Sequence, residues 1–155
     1  MITLTLVRGQ HAGPVGAPES TIALDYDQRT RSRLRARLDD GREAALDVAR
    51  GGVLREGDLL YSGEGLVICV RAALELVSAV YCDDPLAMAR LCYHLGNRHV
   101  ALEIGAGRVA YQADHVLDEL VRGLSLEPVR ENAPFQPEGG AYGHHHGQGG
   151  HGHGH

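Results

Sequence analysis

The chain has 155 residues, a formal net charge of −5 with histidine neutral, and a composition that is 43% hydrophobic but only 5% aromatic. That length holds one domain or two small ones, and with no Trp and a single Phe the cores must be built from Leu, Val, Ile and Ala. The acidic balance and the lack of a long basic run exclude nucleic acid and anionic membrane as main partners, and no apolar run approaches the ~18 residues of a membrane span. Cys69, Cys82 and Cys92 are odd in number and form no C-x-x-C, which fits reduced thiols in a cytoplasmic protein. The start, MITLTLVRGQ, lacks a basic n-region and a long apolar h-region, so no signal peptide is expected.

Residues 2–7 alternate apolar and polar side chains through Ile2, Leu4 and Leu6, the period of a half-buried strand. His11 to Glu19 is a Gly/Pro-rich loop, after which Ile22, Leu24 and Tyr26 alternate again. Leu34, Ala36 and Leu38 then oppose Arg33, Arg35 and Arg37, and Asp39-Asp40-Gly41 reads as a hairpin turn. Ala44, Leu46 and Val48 continue the pattern until Gly51-Gly52 breaks it. Leu59-Leu60-Tyr61 and Leu66 to Val70 are two strands around the Ser62–Gly65 turn. Short strands at this spacing predict a small all-β domain over residues 1–70.

The pattern then changes. Leu74, Leu76 and Ala79-Val80 fit a strand. Asp84 is an N-cap with Pro85 at the first helical position, and Leu86 to Leu95 runs helical with Gly96 as its C′ residue. His99 to Ile104 alternates as a strand, Gly105-Ala106-Gly107 is its turn, and Val109 to Tyr111 is its partner. Asp114 caps a second helix whose stripe is Val116, Leu117, Leu120, Val121 and Leu124, and Ser125 to Val129 is a last strand. The order β-α-β-β-α-β is the ferredoxin-like plan, expected over residues 71–132. The class is therefore α+β. From Glu131 on, Pro and then Gly/His dominate. That segment is not expected to bury a core, and residues 133–155 are read as a tail that is disordered without metal.

The tail carries the plainest chemistry. His144, His145, His146, His151, His153 and His155 are spaced by glycine, which lets the backbone fold around an ion. Neutral imidazole suits nickel, zinc and copper, so the pattern says metal without saying which. A purification tag is the bland reading, but a tag is usually one unbroken histidine run. His99, by itself, is as a rule a hydrogen-bonded structural residue at a strand start. His94 in the last helical turn suits a cap or core role, since a cation is favoured there by the helix dipole. His11 matches no motif. The Arg33/Arg35/Arg37 stripe reads as a solvated strand face, with a contact for an acidic partner as the sharper alternative. One rival class is a zinc-dependent hydrolase, because His99 and Glu103 are four apart on the expected strand and could face one way. A catalytic zinc wants three protein ligands, and neither H-E-x-x-H nor a third ligand is found.

Tyr93-His94-Leu95-Gly96-Asn97-Arg98-His99 resembles the signature of the UreE family, the nickel metallochaperones of urease maturation. Ala113-Asp114-His115-Val116-Leu117 resembles the family's D-H-V-L segment. Pro134-Phe135-Gln136-Pro137-Glu138, running on to Tyr142, resembles the lead into its tail. The resemblance is specific from about residue 81 to 142 and weaker over the first 70 residues. It implies a non-enzymatic homodimer that carries Ni(II), with Zn(II) and Cu(II) as in-vitro alternatives. His99 would sit near the two-fold, where two copies hold one ion, with Gly96, Asn97 and Arg98 shaping the turn and His94 in the same signature. His115 is either an accessory metal position or a surface histidine. The resemblance further implies a urease accessory GTPase and the urease apoprotein complex as partners. It also likens the N-terminal domain to a peptide-binding module of Hsp40-type chaperones, a docking role that no residue here shows by itself. A passive metal store differs from a carrier only in whether a partner receives the ion.

Overall fold

A computed structural model describes residues 1–6, 17–49 and 52–139. The loop with His11, the Arg50-Gly51 part of the strand break and the six tail histidines lie outside these described residues. The N-terminal part is a six-stranded sheet of β1 (Ile2–Leu6), β2 (Ser20–Leu24), β3 (Arg33–Arg37), β4 (Glu43–Asp47), β5 (Leu59–Ser62) and β6 (Val67–Ala72), in the order β2-β6-β5-β1-β4-β3. β3 and β4 form the hairpin expected around Gly41, which takes the positive φ of 93° that the turn requires. β1 runs parallel to β4 and antiparallel to β5, while β2 runs parallel to β6. The sheet curls so that Asp39 N–H, just past β3, donates to the Thr21 carbonyl of β2 at 2.9 Å, giving a barrel-like form. Its interior is aliphatic, with Leu4, Ile22, Leu24, Leu46, Leu60 and Ile68 fully or almost fully buried. The alternating strands therefore put their apolar side where the period-two pattern places it.

The alternation of Ile22 and Leu24 does not extend to Tyr26. The chain enters a short helix instead, α1 (Tyr26–Thr30), because Asp25 and Gln28 form a reciprocal capping box. Asp25 Oδ1 accepts from Gln28 N–H at 2.8 Å, and Gln28 Oε1 accepts from Asp25 N–H at 2.9 Å.

The second sheet comprises β7 (Leu74–Tyr81), β8 (Glu103–Gly105), β9 (Arg108–Gln112) and β10 (Val129–Pro134), in the order β10-β7-β9-β8 and antiparallel throughout. With α2 (Pro85–Gly96) after β7 and α3 (His115–Gly123) after β9, this is the ferredoxin-like arrangement. Both helices start on the expected caps. Asp84 accepts from Leu86 N–H at 3.0 Å, and Asp114 accepts from Val116 and Leu117 N–H at 2.8 and 3.1 Å. Leu91 and Leu95 of α2 and Leu117 and Val121 of α3 pack against Val80, Val109 and Tyr111 on one face of the sheet. Val116, expected in the α3 stripe, is 57% exposed.

Two strand boundaries differ from expectation. Residues 99–102 are not strand, and β8 begins only at Glu103. The last strand begins at Val129 rather than Ser125. Ser125 takes a left-handed φ of 62°, and Pro128 has no N–H to pair. β10 then continues through Pro134, which the sheet tolerates because β10 is an edge strand.

On the face opposite the helices, Val77, Ala79 and Ala110 are covered by Phe135, which is fully buried. The expectation that nothing from Glu131 onward enters a core therefore fails at the chain's only Phe. From there the segment crosses the sheet. Gln136 N–H donates to Glu103 Oε2 in β8 at 2.6 Å, and Glu138 N–H donates to the Leu102 carbonyl at 2.7 Å. β10 and β8 are the two outer strands, so this strap runs from one edge to the other.

The same strap meets the first sheet. Arg29 of α1 is buried and donates through Nη2 to the Phe135 carbonyl, through Nε to Leu24 O at 3.2 Å and through Nη1 to Leu54 O at 3.3 Å. Its guanidinium lies 5.7 Å from the Tyr26 ring centroid, and the Tyr26 ring meets that of Phe135 edge-on at 5.5 Å. Glu75 of β7 accepts from Tyr26 N–H at 2.8 Å and from Gln112 Nε2 at 3.2 Å. Burial pulls the Arg29 guanidinium below its ordinary pKa, partly offset by Glu75.

Candidate metal centre

The stretch from Tyr93 to Leu102 carries the site. α2 stays helical through Gly96, and the cap residue Asn97 keeps α-region backbone with φ −66°. Gly96 is therefore not the left-handed C′ residue. The left-handed residue is His99, two positions past the cap, with φ 56°. Two tight bonds lead into it, from Arg98 N–H to Leu95 O and from His99 N–H to Gly96 O, each 3.0 Å. Histidine is among the few non-glycine residues that adopt this conformation with any frequency, at a cost of roughly 1–2 kcal/mol. The backbone thus turns sharply at His99 and leaves its imidazole exposed to solvent.

His94 is exposed in the last turn of α2, and its ring stands edge-on to Tyr93 with centroids 5.2 Å apart. Leu86 and Tyr93, two helical turns apart, are 57% and 69% exposed and lie on one side of α2. An apolar strip of this kind beside an exposed imidazole suits burial against another surface. His115 opens α3 directly after its Asp114 cap and is exposed. Among the described residues, no three His, Cys, Asp or Glu side chains are grouped to hold a metal ion. His94, His99 and His115 are therefore not brought together into a single site within one chain.

Glu103 is engaged away from His99. Its carboxylate accepts from Arg108 Nη1 at 2.7 Å and from Gln136 N–H at 2.6 Å, and His99 is not on a strand with it. Arg108 also pairs with Glu131 at 3.0 Å, and Tyr81 O–H donates to Glu131 at 2.9 Å. These hydrogen bonds hold the Glu131 carboxyl below its usual range. The network is a closed structural set. A cleft of about 650 Å³ lies at the junction of the sheets, lined by Thr21, Asp39, Glu56, Arg71, Leu74 and Gln136 among others, and takes no residue from the His94–His99 stretch. The Arg stripe on β3 is partly neutralised, Arg33 pairing with Asp47 at 3.6 Å and Arg37 with Glu43 at 3.5 Å.

What sequence reasoning missed is the strap. Its end at Glu138 is hydrogen-bonded to Leu102, three positions from His99, and the signals for it were a lone Phe in an otherwise Pro/Gly-rich run and the motif-like Pro134–Glu138 stretch around it. No helix among the described residues is long and apolar enough to cross a membrane.

Comparison with known proteins bears on both halves. The sequence model described as UreE urease accessory protein, N-terminal domain, matches residues 4–73, and that of the C-terminal domain matches residues 75–155. The urease accessory protein UreE of Alkalilimnicola ehrlichii is 55% identical over 143 residues, spanning 92% of this chain and 85% of its own length. That of Proteus mirabilis is 56% identical over 126 residues, spanning 81% of this chain and 78% of its own. That of Pseudomonas putida strain W619 is 56% identical over 123 residues, with shares of 79% and 76%.

Proposed function

The chain belongs to the UreE family of urease accessory proteins, and from that premise we propose that it acts in urease maturation as a carrier of Ni(II) rather than as an enzyme. The observation that carries this reading is His99, exposed on a left-handed turn at the end of α2. A single imidazole cannot hold a transition metal, so the ion needs ligands from elsewhere. A homodimer built on an isologous interface supplies a second His99, and the exposed Leu86 and Tyr93 side of α2 is apolar surface that such an interface would cover. The six tail histidines gather ions and fill coordination positions that the two copies of His99 leave open. His115 is an accessory position. Asn97 and Arg98 keep the turn that aims the imidazole. The ion is then handed to a urease accessory GTPase and the urease apoprotein complex in the cytoplasm, with no chemistry on a substrate. The N-terminal sheet is the docking domain in this scheme, and the second sheet with its helices and its segment through Glu138 is the metal-binding unit that carries the histidine-rich tail.

Equilibrium dialysis of nickel against the His99→Ala variant tests the reading. One tightly held ion per dimer should disappear while weak binding by the tail persists. An unchanged tight site in the variant would overturn it.

A further inference from the structure

We propose that Phe135 to Glu138 is a positioning strap that fixes where the histidine tail leaves the fold and thereby sets its effective concentration at His99. The inference rests on the reading above, in which tail imidazoles complete the His99 site. It adds residues to which no metal role has been given. Phe135 is the anchor. Its ring is buried on Val77, Ala79 and Ala110, its edge meets Tyr26, and its carbonyl receives Arg29. Glu138 is the exit, tied to Leu102 by a 2.7 Å hydrogen bond. Leu102 is only three positions on from His99, a reach of at most about 11 Å. His144 lies six positions on from Glu138, a covalent reach of at most about 21 Å. Chain length therefore lets the first tail imidazole reach His99 while the strap is closed.

Release of the strap changes both terms. The tail would then leave from Pro134 on β10, the opposite edge of the sheet, about 14 Å farther away at the usual strand spacing. Ten residues rather than six would lead to His144. Effective concentration falls with linker length and more steeply once the span exceeds the average linker reach. Together these effects lower it on the order of tenfold. Because Arg29 and Tyr26 belong to α1, the first sheet contributes to this placement without approaching the metal.

Competitive nickel titration tests the strap in two full-length backgrounds. One is the natural chain. In the other, His144, His145, His146, His151, His153 and His155 are all changed to Asn. Phe135→Ala should weaken the tight site on the order of tenfold in the first background and leave it unchanged in the second, and Phe135→Leu should recover most of the loss. An equal effect in both backgrounds would make Phe135 merely structural, and no effect in either would also overturn the strap. A tight site that is indifferent to the six Asn changes would instead overturn the reading on which the strap rests. If Phe135→Ala does not fold by circular dichroism, Glu138→Pro removes only the exposed exit donor and is judged by the same two-background criterion.

Discussion

At the scale of single residues, His99 combines a functional side chain with an expensive backbone. Glycine removes the left-handed cost and alanine keeps it. His99→Gly should therefore be about 1 kcal/mol more stable than His99→Ala by chemical denaturation, although neither retains the imidazole. Equal stabilities would mean that residue 99 relaxes out of the left-handed region once the histidine is gone. Asp118 offers a second test. It is buried, accepts from Tyr111 O–H at 2.6 Å and pairs with Arg130 at 3.0 Å. Burial alone would raise its pKa, but the hydrogen bonds from Tyr111 and Arg130 outweigh that and hold it below the ordinary value. The sign follows from linkage. A folded-state pKa below the unfolded value near 3.9 stabilises the protein above about pH 4, and that stabilisation is lost as pH falls through the folded value. Asp118→Asn should lower stability at neutral pH by about 1–3 kcal/mol and flatten the acid limb of a stability–pH curve. Burial and Asp118 push the Tyr111 phenol upward, so the same contact resists ionisation at alkaline pH.

At the scale of elements, the caps set the helices. Asp114 satisfies two N–H groups at the start of α3. Asp114→Ala should cost about 1 kcal/mol, read as a shift in denaturation midpoint, and a shift indistinguishable from zero would show that packing alone holds the helix. These caps were legible because an Asp before an apolar stripe has one strong local use. So were most strands, whose alternation reports a single buried face. The His99 turn was not, because glycine at position 96 draws the left-handed assignment to itself and the apolar rhythm of Val100, Leu102 and Ile104 imitates a strand. Nor was β10. Its start depends on Ser125 and Pro128, and its continuation into Pro134 depends on lying at a sheet edge, which is a property of topology. Phe135 reads as part of a linker until Val77, Ala79 and Ala110 are seen beneath it. The histidines themselves were plain in the sequence. That His94, His99 and His115 form no single site within one chain could not be read from it.

At the scale of the whole molecule, one buried guanidinium ties the two sheets together. Arg29→Ala would leave the Leu54 and Phe135 carbonyls without this donor and open a cavity beside Tyr26. The expected loss is on the order of 3 kcal/mol, and calorimetry should show two unfolding transitions in the variant against one in the natural chain. A single unshifted transition would show that Glu75 and the Gln136–Glu56 bond suffice to join the sheets. The placement of β1 has a different consequence, for the order of assembly. This strand lies in the middle of its sheet, yet its partners come much later in the chain, Ile2 pairing with Ala44 and Leu4 with Ser62. As the polypeptide emerges from the ribosome, β1 is made before both partners and must wait through some 40 residues of synthesis for β4 and some 60 for β5. Removing β1 would not trim the sheet but divide it, leaving β2-β6-β5 on one side and β4-β3 on the other.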